Sequence, residues 1–157
     1  QSVETLDGFA TGDWWVQDLA ASLPVLLLAP QAGEAVADLC AAPGGKTMQL
    51  CATGADVTAV DRTPGRVKLI AENLARTGLS ATLVTEDVER WNPDARFDAI
   101  LLDAPCSGLG VLSRRPGRIK EIVSDDMPQA ERAKPAAARD LAELNARLWT
   151  LIKAAGA

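Results

Sequence analysis

An α/β fold with a mainly parallel sheet of at least four strands is what this 157-residue chain predicts, on three observations. Short apolar runs of strand length alternate with stretches whose apolar residues recur every three or four positions, the pattern of strands alternating with helices. Three of these runs close on an acid: Asp61, Asp87 and Asp103. A glycine pair, Gly44-Gly45, stands where the first run hands over to a helical stretch.

Each element follows in chain order. Residues 1–13 are mostly polar, with Gly8, Thr11 and Gly12 near their end, and read as a leading segment. Asp13 is placed to cap a helix through "WWVQDLAASLPVLLLA". Val16, Leu19, Leu23, Leu26 and Leu27 form its expected inner stripe, and Pro24 must bend or split it. A turn then leads to a first strand at about Ala35 to Leu39, and residues 45–52 suit a short helix. "DVTAVD" is the second strand. Thr63-Pro64 reads as a cap with proline at the first helical position, opening a helix that stops at Gly78. Val67, Ile70, Ala71 and Leu74 make its inner stripe, with Leu69 to one side. "ATLVTED" and "FDAILLDAP" are the third and fourth strands; with the second, they are short and apolar, as strands buried on both faces should be. Residues 111–135 are irregular, punctuated by Pro116, Gly117, Pro128 and Pro135. A helix over 136–153 carries Leu141, Leu144, Leu148 and Ile152 on one stripe.

The whole chain sets bounds on function. Its length suits a single domain over 1–157 that buries roughly 70% of its unfolded surface. With 48% hydrophobic residues it is not a disordered segment. The complete lack of histidine removes Ser-His-Asp and Cys-His catalysis and most zinc sites. A net charge of −5 argues against a generally basic nucleic-acid-binding surface, so any nucleic acid must be held by a local patch or another domain. Cys40, Cys51 and Cys106 lack CxxC spacing and read as reduced thiols in a cytoplasmic protein. No apolar run approaches the roughly 20 residues that span a bilayer, and the N-terminus does not read as a signal peptide, so no membrane partner is expected.

"VADLCAAPGGKT" carries the first chemistry. A glycine turn between strand and helix lets backbone N–H groups approach a ligand at the helix N-terminus. Asp61, ending the second strand, suits ribose hydroxyls; Asp87, ending the third, could reach an adenine edge; Asp103 ends the fourth. Together they would line the rim where open α/β sheets bind ligands. The plainer alternative is that acids at strand ends are turn formers and helix caps. "GGKT" fails as a phosphate-binding loop because Cys40 occupies the position of its first glycine, and no dinucleotide fingerprint is present. What fits is an adenosyl ligand without a pyrophosphate, for which S-adenosyl-L-methionine is the obvious candidate.

"DLCAAPGGKT", "AVDR", "ENLARTG" and "DAPCSGLG", in this order, resemble the Sun/Fmu family of ribosomal RNA cytosine-5 methyltransferases. "GDWWVQDLAAS" is similar to that family's approach to its catalytic domain, and the resemblance covers about residues 8–120. It implies a Rossmann-like methyltransferase core that binds S-adenosyl-L-methionine. Its cofactor contacts would be Cys40, Ala41, Ala42, Pro43, Gly44, Gly45, Lys46, Asp61, Asp87 and Asp103. It also implies ribosomal RNA as the partner. The family's later strands, its Thr-Cys-Ser nucleophile motif and its N-terminal RNA-binding domain have no counterpart in the sequence. The chain therefore reads as a truncated or rebuilt core, whose fourth strand would leave an edge for the final helix to cover or for self-association with a second chain.

Methylating carbon 5 of cytosine needs a thiolate to add at carbon 6 and a base to remove the carbon 5 proton. Cys106, just past Asp103, is the candidate catalytic thiol, and Asp103 could accept from the cytosine amine. The alternative for Cys106 is a small buried thiol. The resemblance implies a helper in product release, since the family's attacking thiol lies in the later motif. Direct attack by Cys106 stays open, because DNA cytosine-5 enzymes use a proline-cysteine thiol.

Arg114, Arg115, Arg118 and Lys120 could grip RNA phosphates or form a solvated loop. Lys46 could meet the methionine carboxylate or sit on a helix surface. Trp14 and Trp15 could stack a base, though paired tryptophans more often anchor a helix into the core. Trp91, Trp149 and Cys51 read as packing. Two other functions compete: a cofactor-binding module without catalysis, and a nucleotide hydrolase built on "GGKT".

Overall fold

The computed structural model describes residues 2–104. Internal packing divides the chain into two units, Gln1–Asp103 and Ala104–Ala157. The described residues make up all but Gln1 of the first, together with Ala104. The irregular stretch 111–135 and the helix 136–153 lie outside the described residues, as does Trp149.

The elements run α1 (Leu19–Leu28), β1 (Ala35–Leu39), α2 (Gly45–Ala52), β2 (Asp56–Asp61), α3 (Pro64–Thr77), β3 (Thr82–Thr85) and β4 (Ala99–Leu102), after a single 3-10 turn at Val3–Thr5. The four strands form one sheet in the order β3-β2-β1-β4. Every pairing is parallel, with Val36 opposite Val57 and Ala99, and Asp61 opposite Thr85. The chain steps outward from β1 to β3, then returns to place β4 on the other side of β1. That reversal makes the carboxyl ends of β1 and β4 the switch point at which such sheets take ligands.

The α/β class, the bounds of β1, α2 and β2, and the proline start and glycine stop of α3 all match the sequence reading. Three local expectations are corrected. The first helix begins at Leu19, and its cap is Asp18, whose Oδ1 accepts from Ala20 N at 2.9 Å. Asp13 belongs instead to the preceding turns, where its N–H bonds Gly8 O at 2.9 Å.

The α1 stripe faces outward. Leu19, Leu23, Leu26 and Leu27 are exposed, as is Val16 ahead of the helix, while Val25 is the helix's buried residue. In "LAASLPVLLL" almost every position is apolar, so spacing alone could not point the helix. Pro24 is accommodated within it. Ala71 on α3 is likewise exposed, whereas Val67, Ile70 and Leu74 are buried as expected.

The third correction concerns burial. β1 and β2 are central and largely buried, but β3 is an edge strand with no fully buried residue, and Leu101 is the buried residue of β4. β3 ends at Thr85, so Asp87 lies two residues beyond it.

The core falls into two clusters. Val25, Val36, Leu50, Ala55, Val57 and Leu101 join α1 and α2 to the sheet. Ala41, Ala42, Met48, Ala59, Ile70 and Leu74 join α2 and α3 to it, with Trp15 packed alongside. Because Val57 and Ala59 point to the same side of β2, the three helices share one sheet face. Trp15 is thus a core anchor, and its Nε1 donates to Gln17 Oε1 at 2.9 Å. Trp14 packs edge-on against Phe9 at 5.3 Å and donates to Asp7 O. Trp91 packs against Phe97. Cys51 borders both clusters, with Sγ donating to Ser80 O, and burial pushes its thiol up to about 11. Among the described residues no helix is long and apolar enough to cross a membrane.

Candidate functional site

The turn after β1 is built by two left-handed residues, Cys40 (φ 61°) and Gly44 (φ 103°). Gly44 is the residue before α2, and a Cβ there would lie 3.2 Å from Ile70 Cγ2. Both the backbone angle and the close approach of α3 therefore call for glycine. Gly45 is under no such constraint: its Cβ would first meet Gln17 at 3.8 Å. The first-turn N–H groups of α2 have no acceptor within the helix, and they open at the switch point between β1 and β4.

Three acids gather at this end of the sheet. Asp61 is 2% exposed. Its Oδ2 accepts from Ala42 N at 3.3 Å and its Oδ1 from Thr63 N at 3.1 Å, so it ties the loop after β1 to the start of α3. Asp103, directly after β4, donates its backbone N–H to Leu39 O at 3.3 Å. Its Oδ2 accepts from Lys46 Nζ at 2.7 Å. Lys46 thus reaches across from α2 to the β4 end rather than lying free on the helix surface.

The third acid is Asp38, which the sequence reading did not single out. It sits in β1, 1% exposed, with Oδ2 accepting from Thr47 Oγ1 at 2.6 Å. Its Oδ1 is buried and, among the described residues, has no hydrogen-bond partner. Burial pushes its carboxyl up to about 6, against the opposing pull of Thr47 and Lys46. A charged residue inside the apolar run "AVADL" was the available signal, since a buried carboxylate must find partners.

Cys40 is half-buried among these groups. Desolvation and then the Asp61 charge push its thiol up, with Asp103 and Asp38 adding and Arg66 opposing. Asp38, Asp61 and Asp103 therefore share one electrostatic neighbourhood around the β1 turn. Asp87 stands further along: Glu86 N donates to Asp61 O at 3.2 Å, and Asp87 Oδ1 accepts from Glu89 N at 3.1 Å to shape a turn. Among the described residues no group of three or more histidine, cysteine or acidic side chains could hold a metal ion. Cys106, Arg114, Arg115, Arg118 and Lys120 lie outside the described residues.

Arg66 and Asn73 were also missed. Arg66 Nη2 donates to Ala42 O at 2.6 Å, and Asn73 Nδ2 donates to Pro43 O at 3.1 Å. Asn73 stands within the "ENLARTG" string, but the contacts that place these two residues at the site are to partners 24 and 30 positions away.

The model of the 16S rRNA methyltransferase RsmB/F family matches residues 25–156. The ribosomal RNA small subunit methyltransferase B of Salmonella arizonae is 49% identical over 119 residues, covering 73% of this chain and 28% of that protein. A methyltransferase homolog protein from Pyrococcus horikoshii superposes with a TM-score of 0.65 at 34% identity, covering 77% of this chain and 41% of that one. NSun6 from Pyrococcus horikoshii, solved with SFG, gives a TM-score of 0.64 at 30% identity, covering 68% of this chain and 29% of that one. The chain thus spans well under half the length of these relatives. With the family model matched over most of its length, this chain belongs to the 16S rRNA methyltransferase RsmB/F family.

Proposed function

We propose that this chain is the cofactor-binding core of an S-adenosyl-L-methionine-dependent ribosomal RNA cytosine-5 methyltransferase, with its 157 residues forming one domain. The observation that carries the proposal is the pairing of a buried, unpartnered acceptor, Asp38 Oδ1, with Asp61 at the same sheet end. A cofactor with an ammonium at one end and a ribose in the middle suits such a pair of acceptors. The glycine turn brings the α2 N-terminus to the same sheet end, where its first-turn N–H groups suit the cofactor. Family membership and the likeness to methyltransferases support the same assignment.

The residues then take these roles. Asp38 would receive the ammonium. Asp61, whose carboxylate has acceptor sites beyond its two backbone bonds, would receive ribose hydroxyls. Cys40, Ala41, Ala42, Pro43, Gly44 and Gly45 would form the wall, and Asp87 would meet the adenine edge. Bound there, S-adenosyl-L-methionine supplies an electrophilic methyl on a sulfonium. Lys46 holds the Asp103 carboxylate in place at 2.7 Å, where Asp103 would accept from the cytosine amine. Cys106 would add as a thiolate to carbon 6 of the cytosine or assist product release. Arg114, Arg115, Arg118 and Lys120 would contact RNA phosphates, making binding fall with salt. A cytoplasmic location fits ribosomal RNA as substrate. Self-association through the outer edge of β4 belongs to the same proposal, and sedimentation showing only monomer at high concentration would remove it.

Isothermal titration tests the central step. S-adenosyl-L-methionine should bind, and Asp61→Ala should weaken binding by about 1–3 kcal/mol. Binding of ATP in place of S-adenosyl-L-methionine would favour a nucleotide hydrolase and overturn the assignment. Unchanged affinity in Asp61→Ala would remove Asp61 from the site.

A further inference from the structure

The segment ahead of α1 is pinned to the C-terminal end of α3. Arg76, in the last turn of α3, lays its guanidinium 4.1 Å over the Phe9 ring. Its Nη1 donates to Phe9 O at 2.7 Å and to Trp14 O at 3.1 Å. Trp14 closes edge-on against Phe9, and Trp15 packs on the cluster that holds Ala41, Ala42 and Met48. The leading segment is therefore a fixed support, held by a cation on a ring and by buried packing.

From that support a relay of side chains crosses to α2. Trp15 Nε1 donates to Gln17 Oε1 at 2.9 Å, and Gln17 Nε2 donates to Gln49 Oε1 at 2.9 Å. Gln49 Nε2 in turn donates to Ser22 O at 3.1 Å, while Gln17 Nε2 also reaches Ala21 O at 3.3 Å. Among neutral side chains only a carboxamide offers an acceptor for the indole together with two donors for the helices. Gln17 thus joins the leading segment, α1 and α2. Its side chain is also what a Cβ on Gly45, the first residue of α2, would first meet, at 3.8 Å.

α2 has eight residues, too few to hold a place by its own backbone bonds. It carries Lys46 and Thr47, whose side chains fix the Asp103 and Asp38 carboxylates at 2.7 and 2.6 Å. A shift of α2 would move those two contacts and its first-turn N–H groups together.

We infer that Gln17 is a positioning residue for the amino-acid end of the cofactor. By tying α2 to the pinned leading segment, it holds the first turn of α2 and Asp38 in the arrangement that receives the carboxylate and the ammonium. This rests on the proposed binding of S-adenosyl-L-methionine with its ammonium on Asp38. Gln17 acts through α2, since its hydrogen bonds are to the chain.

Titration calorimetry on the full chain tests this with two probes, S-adenosyl-L-methionine and methylthioadenosine, which keeps the nucleoside and lacks the amino acid. Wild type should bind the first more tightly than the second. Gln17→Ala should weaken S-adenosyl-L-methionine about fivefold while changing methylthioadenosine less than about twofold. Gln49→Ala cuts the same bond from the α2 side and serves if the first variant fails to fold; it should give the same selective loss. In the Gln49→Ala background, Gln17→Ala should weaken S-adenosyl-L-methionine by less than about twofold further, because the two residues act through one contact. Lys68→Ala, on the exposed face of α3, should bind both probes as wild type does. Equal losses for both probes would mean a purely structural role and overturn the inference. So would unchanged affinity in Gln17→Ala, or a further loss of about fivefold in the double variant. Failure of wild type to bind S-adenosyl-L-methionine would instead overturn the proposed function, and equal binding of the two probes would overturn the role of Asp38 at the ammonium; the inference falls with either.

Discussion

Replacing Asp38 with asparagine should flatten the acid-side pH dependence of stability. Asp38 is buried, and its carboxyl is raised from 3.8 to about 6. Between those two values the folded chain keeps a proton that the unfolded chain has lost. Stability contributed by this group is therefore highest below about 4 and declines as pH rises through 6. Above 6 the folded state carries the full cost of a buried carboxylate, about 3 kcal/mol. At pH 4.5 most of that cost is relieved and about 1 kcal/mol remains. Wild type should thus lose about 2 kcal/mol between pH 4.5 and 7.5 through Asp38 alone.

Asp38→Asn removes the ionisation and keeps an acceptor for Thr47 Oγ1. Its amide would occupy the place of the unpartnered Oδ1 at a cost of about 1–3 kcal/mol. That cost does not vary with pH, so the difference between the two pH values isolates the titration. Urea unfolding of both proteins at pH 4.5 and 7.5 measures it. The gap in stability between variant and wild type should shift by about 2 kcal/mol in favour of the variant at the higher pH. A shift below about 0.5 kcal/mol would refute the claim that Asp38 is buried and short of partners.

Two further outcomes follow from packing. Gly12 has φ +81°, and a Cβ there would fall 1.9 Å from Arg76 O. Gly12→Ala should therefore cost about 2–4 kcal/mol in urea unfolding, with a cost under about 0.5 kcal/mol showing that the leading turns do not rest on α3. On α1, Leu27 is 84% exposed whereas Ile70 on α3 is fully buried. Leu27→Glu should stay within about 0.5 kcal/mol of wild type, and Ile70→Ala should lose about 2–5 kcal/mol; a reversal of that order would mean α1 is wrongly oriented.

Much of the fold could be read from local chemistry. Thr63-Pro64 and Gly78 bracket α3 because proline presets the first helical turn and glycine takes the left-handed stop, here at φ 68°. β1 and β2 declare themselves as apolar runs because central parallel strands face protein on both sides. α1 was legible as a helix but not as an oriented one, since a nearly all-apolar segment has no polar face to set against solvent. Its cap moved from Asp13 to Asp18 because Asp13 is committed to the turn closed on Gly8. Within the site, the loop from Cys40 to Lys46 and the acids Asp61 and Asp103 were legible as strand-end residues. Asp38 was signalled only by a charge inside an apolar strand, and the roles of Thr47, Arg66 and Asn73 were not legible, because their importance lies in what they touch.

By itself, the sequence determined the α/β class, the order of strands and helices, and the motif strings by which the family is recognised. These depend on periodicity, caps and turns that act between near neighbours. Tertiary structure alone decided which acids share a neighbourhood, that Lys46 reaches Asp103 across 57 positions, and that one guanidinium joins Ala42 to Asp61. Those contacts exist only because β4 returns to the far side of β1 and α3 lies against the β1 turn. Strand order in a sheet is set by long-range packing, and no short stretch of sequence encodes it.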